Sequence, residues 1–400
     1  MKPVPGPWSP LVEGETAVEA LKAVEAIAHD LAADPRLSPG PSLNQGQTGL
    51  ALFFAYLERS SGREEDGLRA EHHLEQAVAS LAEEPAPDAG LYHGYAGVAW
   101  VTEHLSAGEI PDDDEDPNEE IDAALLSQLQ RTPWPGEIDL LSGLVGWGVY
   151  ALERLPRPTA RAMLPRLVAR LAERAEPGVR GAVWRDRHSG EPDPGMAHGS
   201  AGVIALLARM LREAEAGPET APLLTAAVDG ALSLSPLEGD AEGDLAWCAG
   251  NAGLSVALLA AGRATGRDDW ERTAHRLATA AAGLYRDEAG ISDPALCHGT
   301  AGLSHLFHRL YRATGDPALL AAARRWLERT LALRRPGQGI GGYLRRGRLA
   351  GGQLSPISDP GFLGGAAGIG LALLAAATPV EPGWDRLLLL SGRLDSIQGS

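Results

Sequence analysis

One motif, a Gly-x-x-Gly that leads into an apolar run, occurs seven times in 400 residues and limits the possible folds more than any other feature. The copies are NQGQTGLALFFAYL, LYHGYAGVAWVTEHL, LLSGLVGWGVYALERL, MAHGSAGVIALLARML, WCAGNAGLSVALLAAG, LCHGTAGLSHLFHRLY and FLGGAAGIGLALLAAA. Their first glycines are Gly46, Gly94, Gly143, Gly199, Gly250, Gly299 and Gly365, spaced by 48 to 66 residues. Such a period marks one supersecondary unit used repeatedly, each copy burying its apolar face against its neighbours. Every motif opens about ten apolar residues with few charges, which predicts a helix buried on nearly all sides. Between the motifs lie stretches such as EHHLEQAVASLAEE, TARAMLPRLVARLAERA and DWERTAHRLATAAAGLY. Each has one apolar stripe and one charged face, which predicts an outer helix.

An open solenoid needs polar caps at its ends. Here the first and last repeats are as apolar as the middle ones, and closure would let them cover each other. The expected fold is therefore all-α, a double-ring α/α toroid of seven inner and seven outer helices, forming a single domain over residues 1–400. Aromatic residues make up only 5% of the chain against 44% hydrophobic, so the core must be built from Leu, Ala and Val, in keeping with close-packed helices. The glycines are expected to let inner helices approach closely and to tolerate unusual backbone angles at the turn into the helix. All seven inner N-termini would face one end of the ring, collecting exposed N–H groups and positive partial charge. The stretch GFLGGAAGIGLALLAAATPV is long enough for a membrane span, but it is the seventh repeat and reads as a buried core helix.

A net charge of −18 argues against non-specific nucleic-acid binding. Two cysteines in 400 residues suggest a reducing compartment. The N-terminal MKPVPGPWSPLVEGE lacks the apolar core of a secretory signal, so a cytoplasmic location is expected.

The repeat register picks out unusual residues. Immediately before the first glycine stand Gln45, His93, Ser142, His198, Ala249, His298 and Gly364. One place earlier stand Asn44, Tyr92, Leu141, Ala197, Cys248, Cys297 and Leu363. Both cysteines thus share a position in consecutive repeats, with His298 adjoining. Two thiolates and an imidazole suit Zn2+, and three protein ligands leave a fourth position open, the mark of a catalytic site. Helix N-termini would favour thiolate over thiol. His305 and His308, on the following helix, read as packing residues. His198 precedes the glycine of repeat four, and Asp139 lies four residues before that of repeat three. A histidine with a carboxylate partner is a general acid or base with a fixed tautomer. His93, farther round, reads as cavity lining.

WCAGNAG followed 49 residues later by CHGTAG, with AHGSAG and DLLSGLVG upstream, resembles the lanthionine synthetase C-like (LanC-like) cyclases, over almost the whole chain to GWDRLLLL. The resemblance implies a double α-toroid with zinc at one end, held by Cys248, Cys297 and His298. It implies an acid/base His198 partnered by Asp139, and thioether formation by addition of a peptide Cys to dehydroalanine or dehydrobutyrine. It further implies a dehydrated precursor peptide as substrate, a separate dehydratase to supply it, and a transporter complex that would hold the protein at the membrane periphery. Cyclases of the family often carry an Arg four residues before the first zinc Cys and a Tyr just after it. Asp244 and Ala249 occupy those positions here, and Arg185 or Arg187 in VWRDRHSG are the candidate substitutes. Two alternatives keep the same zinc site: addition of a small thiol such as glutathione to dehydrated residues, and a non-catalytic zinc-bearing scaffold that binds peptides. Sixfold prenyltransferase or glycosidase toroids fit less well, because no paired catalytic carboxylates occupy repeat positions.

Two segments lie outside this pattern. RRPGQGIGGYLRRGRLAGGQ carries Arg334, Arg335, Arg345, Arg346 and Arg348 and reads as a hairpin or mobile loop, either a contact for an acidic leader peptide or a solvated loop. PDDDEDPNEEID, residues 111–122, reads as a flexible charged loop.

Overall fold

The computed structural model describes residues 4, 6–33, 40–84, 87–106, 116–186, 189–213, 216–234, 245–284, 291, 293–348 and 354–392. Among these, fourteen α-helices alternate as expected: α1 (Gly14–Ala33), α2 (Gln47–Ser61), α3 (Glu64–Glu83), α4 (Tyr95–Leu105), α5 (Glu119–Gln128), α6 (Leu144–Glu153), α7 (Pro158–Glu173), α8 (Ser200–Glu213), α9 (Thr220–Leu234), α10 (Asn251–Thr265), α11 (Asp268–Gly283), α12 (Thr300–Thr314), α13 (Pro317–Leu333) and α14 (Ala366–Ala377). Every even-numbered helix begins at the residue after a motif's first glycine. These helices are the apolar runs, and they are buried almost throughout. All ten residues of α6 are buried, as are Ala366 to Ala376 of α14. The odd-numbered helices bury one stripe. In α7 it is Ala160, Met163, Leu164, Leu167, Val168 and Leu171, the three-and-four spacing of an amphipathic helix. Among the described residues no helix is long and apolar enough to cross a membrane.

The packing separates into two units. One gathers the described residues up to 84 with 281–384, and the other 87–280 with 385–392. In the first, α14 packs on α1, α2 and α12, so the repeats at the two ends of the chain meet, while α3 covers α2 and α13 covers α12. In the second, α4, α6, α8 and α10 pack in sequence, with α7 covering α6 and α9 covering α8. There Tyr92 and the Trp247 indole donate to the carbonyls of Leu387 and Leu388, which binds the GWDRLLLL segment to two motif loops.

The turn into each inner helix differs from expectation in two ways. Its first N–H groups are not exposed. In repeat six Thr300, Ala301 and Gly302 donate to the carbonyls of Asp293, Pro294 and Ala295, at 2.9, 3.3 and 3.2 Å. Ala366, Ala367 and Gly368 donate likewise to Asp359, Pro360 and Gly361. The preceding loop folds over the helix end and satisfies the groups a bare N-terminus leaves open. Nor does the motif need glycine for unusual torsions, since Gly299 has φ −115° and ψ −176°, ordinary extended backbone. The constraint is space. A Cβ on Gly302 would lie 1.8 Å from the Leu296 carbonyl oxygen.

The charged run is only partly testable, because residues 107–115 lie outside the described residues. Its second half is not a flexible loop. Asn118 is buried and its amide donates to Ala99 O at 3.1 Å. Asp116 and Asp122 bind the fully buried Arg154, which also pairs with Glu103. A buried guanidinium needs carboxylates around it, and this run supplies two. The arginine-rich segment does form a hairpin, β3 (Arg345–Arg348) against β4 (Leu354–Ile357), antiparallel with Arg345 opposite Ile357. The only other strands among the described residues, β1 (Glu176–Pro177) and β2 (Ala182–Val183), form a short pair before α8.

Candidate metal centre and adjoining cleft

The motif loops are joined through their main chains. Within the second unit Tyr92 N–H donates to Leu141 O, Leu140 to Ala197 O, and Ala197 to Cys248 O, each at 3.0 Å. Within the first unit Leu296 and Cys297 donate to Leu363 O, and Phe362 to Asn44 O. The bonds fall on the register position that carries the cysteines, so those positions are held rigidly. The next residue is exposed in four of the loops, at Gln45, His93, Ala249 and His298, and partly buried in the other three, at Ser142, His198 and Gly364.

Cys248 and Cys297 are half-buried and not joined by a disulfide. Cys248, Cys297 and His298 supply two thiols and an imidazole, a donor set that could hold a metal ion. A zinc ion bound at ~2.3 Å to sulfur and ~2.0 Å to nitrogen needs such atoms a little under 4 Å apart. The set fits zinc in donor type. His305 and His308 are not part of it. Both are buried; His305 stacks on Trp384 and His308 lies 4.3 Å from the Trp8 ring. Burial pushes the His308 pKa down to about 2, so it packs as a neutral ring.

His198 and Asp139 come together as the register suggested. Asp139 Oδ1 accepts the Ser142 N–H at 2.8 Å, which aims Oδ2 at His198 Nδ1, also 2.8 Å away. The Asp139 hydrogen bond raises the His198 pKa, against a smaller opposing effect of burial. The pair lies in a cleft of about 660 Å³ whose walls include His93, Trp134, Trp147 and Arg185. His93 is thus a lining residue, as its register implied. Trp134 and Trp147 meet edge to face at 5.3 Å and form an apolar wall. Nothing in the repeat pattern marked them. Arg185 donates to Glu176 Oε2 at 2.7 Å and to Gly190 O at 2.9 Å. Arg187 and Asp244 lie outside the described residues.

One site residue was legible and overlooked. An aspartate recurs six places before the first glycine, as Asp88, Asp193, Asp244, Asp293 and Asp359, with Glu137 in repeat three. In Asp88, Asp193, Asp293 and Asp359 the Oδ1 accepts the N–H two residues on, at 2.6 to 3.0 Å, closing the loop as an Asx turn. Asp244 occupies this register, so its carboxylate belongs to the repeat pattern. Asp293 does more, as its Oδ2 lies 3.7 Å from His298 Nε2.

The arginines of the hairpin are not a uniform basic patch. Arg345 pairs with Asp359, and Arg334 donates to Gly341 O at 2.8 Å. Arg335 and Arg346 are exposed.

The lanthionine synthetase C-like protein family matches residues 39–389 of the sequence. A search of curated proteins returns no match. Among solved structures, nisin cyclase superposes with a TM-score of 0.69 at 18% identity, covering 93% of this chain and 97% of that one. At that identity the likeness concerns the fold, and the α/α toroid expected from the repeats is the fold of this chain.

Proposed function

Because the chain belongs to the lanthionine synthetase C-like family, we propose that it is a zinc-dependent cyclase that joins peptide Cys thiols to dehydroalanine or dehydrobutyrine as thioether rings. What carries this reading is the donor set of Cys248, Cys297 and His298, with His198 next to Ala197, whose N–H is bonded to Cys248 O. A zinc ion held by these three residues would act as a Lewis acid that keeps the substrate thiol ionised at neutral pH.

The other parts of the reaction fall to the chain. Attack forms the S–Cβ bond, moves the π electrons toward the carbonyl as an enolate, and requires a proton at Cα. His198 is the proton donor. Asp139 engages Nδ1, leaving Nε2 for exchange with the substrate, and the raised pKa keeps more of the imidazolium near neutral pH. Of the cationic residues in the cleft wall, Arg185, which also pairs with Glu176, is the one assigned to the enolate oxygen. The cleft is large enough for several residues of a peptide, with Trp134 and Trp147 against its apolar side chains. A separate dehydratase supplies the dehydrated peptide.

The decisive experiment gives the purified, metal-analysed protein a dehydrated peptide containing one Cys. Ring closure consumes the thiol without changing the mass. Under the alternative of small-thiol addition, added glutathione raises the mass instead; the departures at Asp244 and Ala249 from the family's Arg and Tyr favour the other alternative, a non-catalytic zinc-bearing scaffold. Bound zinc and peptide without thiol loss under either condition would leave only a scaffold.

A further inference from the structure

The His298 side chain is about half exposed, yet a ligand must present one ring nitrogen in a fixed direction. The carboxylate of Asp293 lies behind it and is itself constrained on three sides. Oδ1 takes the Ala295 N–H at 3.0 Å, within the Asx turn. Oδ2 takes the Arg346 N–H of β3 at 3.0 Å and lies 3.7 Å from His298 Nε2. Asp293 is buried. The arrangement is not generic to the repeat. In the His198 loop the equivalent Asp193 closes the same turn on Gly195, but the imidazole engages Asp139 of the preceding repeat.

We propose that Asp293 is the positioning residue of the metal centre: it receives the Nε2–H of His298, assigns Nδ1 to the metal, and ties that ligand to the arginine-bearing hairpin through the Arg346 N–H. This rests on the reading of Cys248, Cys297 and His298 as a zinc site. A carboxylate behind a ligating imidazole fixes its tautomer and raises its basicity, and removing one typically costs 10–100-fold in metal affinity. The hairpin's second anchor, Arg345 on Asp359, supplies the control. Asp359 closes the same turn in the next repeat, on Gly361 at 2.7 Å.

The test is zinc affinity, measured by competition with a chromogenic chelator on the full-length protein. Asp293→Asn keeps the Oδ1 acceptor of the turn and loses the anionic Oδ2, and its zinc affinity should fall 10–100-fold. Asp359→Asn should stay within about threefold of the wild type, so that a loss specific to Asp293 cannot be a turn effect. A second measurement needs no variant: 15N-histidine NMR of the zinc-loaded wild type should show His298 metallated at Nδ1 and protonated at Nε2. Affinity of Asp293→Asn equal to wild type, an equal loss in Asp359→Asn, or ligation through Nε2 would each overturn the proposal. Zinc in the wild type with any of these results refutes the role of Asp293 alone. A wild type that takes up no zinc refutes the metal site and this proposal together.

Discussion

Replacing Gly302 by Ala tests the link between the repeat motif and the metal centre. Its added Cβ would lie 1.8 Å from the Leu296 carbonyl oxygen, 2.6 Å from its carbon and 3.0 Å from its Cα. Ordinary contact is above 3 Å, so the Leu296 peptide must move by more than 1 Å. That peptide leads directly into Cys297, and the N–H groups of both residues hold Leu363 O, at 3.1 and 3.0 Å. Overpacking costs ~1–3 kcal/mol, and weakening two buried main-chain bonds adds about 1 kcal/mol each. The helix-propensity gain of alanine over glycine returns about 1 kcal/mol. The net expectation is a destabilisation of roughly 2–4 kcal/mol, with Cys297 displaced from its partners and zinc binding weakened. Thermal unfolding and zinc stoichiometry are the assays. Gly283→Ala, at the end of α11 with nothing within 4 Å of the new Cβ, is the control and should be neutral or slightly stabilising. A Gly302→Ala protein that melts with the wild type and keeps full zinc would show that the motif glycine is not there for space.

Three further outcomes are expected. In Asp139→Asn the acceptor that raises the His198 pKa is lost, so the alkaline limb of the pH dependence of kcat/KM should move to lower pH; an unmoved limb means the pair does not act in turnover. The same raised pKa means that the pair's contribution to stability is full at low pH and lost as pH rises through the folded-state value, so Asp139→Asn should cost stability at pH 5 and little at pH 9 in denaturant titrations. Arg185→Ala should lower kcat on the order of 100-fold with zinc content unchanged if Arg185 faces the enolate, and undiminished turnover would remove it from the mechanism. Arg154→Ala strands the buried carboxylate of Asp122 and should destabilise the fold by ~3–5 kcal/mol in chemical denaturation, without altering zinc stoichiometry.

The architecture and much of the site were legible because the information is periodic and local. The glycine register located the start of all seven inner helices to the residue and set Cys248 and Cys297 in equivalent loops. The recurring Asp six places before the glycine was equally readable; it escaped notice because a turn-forming aspartate carries no chemical signature until its second oxygen is seen to reach something. The expectation of exposed N–H groups failed for a related reason. A helix start can be read from a few residues, but the loop that folds back seven residues to cover it is visible only in space.

What the linear chain determined by itself is repetition: how many units, where each begins, which face is apolar, and which residues share a position. These follow from spacing along the backbone, which is covalent and short-range. Which carboxylate each histidine takes was left to tertiary structure. His198 engages Asp139, 59 residues away, although Asp193 is five residues from it, whereas His298 faces Asp293 of its own loop. So was the docking of Arg346 on Asp293 across 53 residues, and the assembly of the tryptophan-walled cleft. A charge–charge or hydrogen-bond contact depends on distances of a few ångströms between loops, and identical registers place those loops in similar but not equal surroundings.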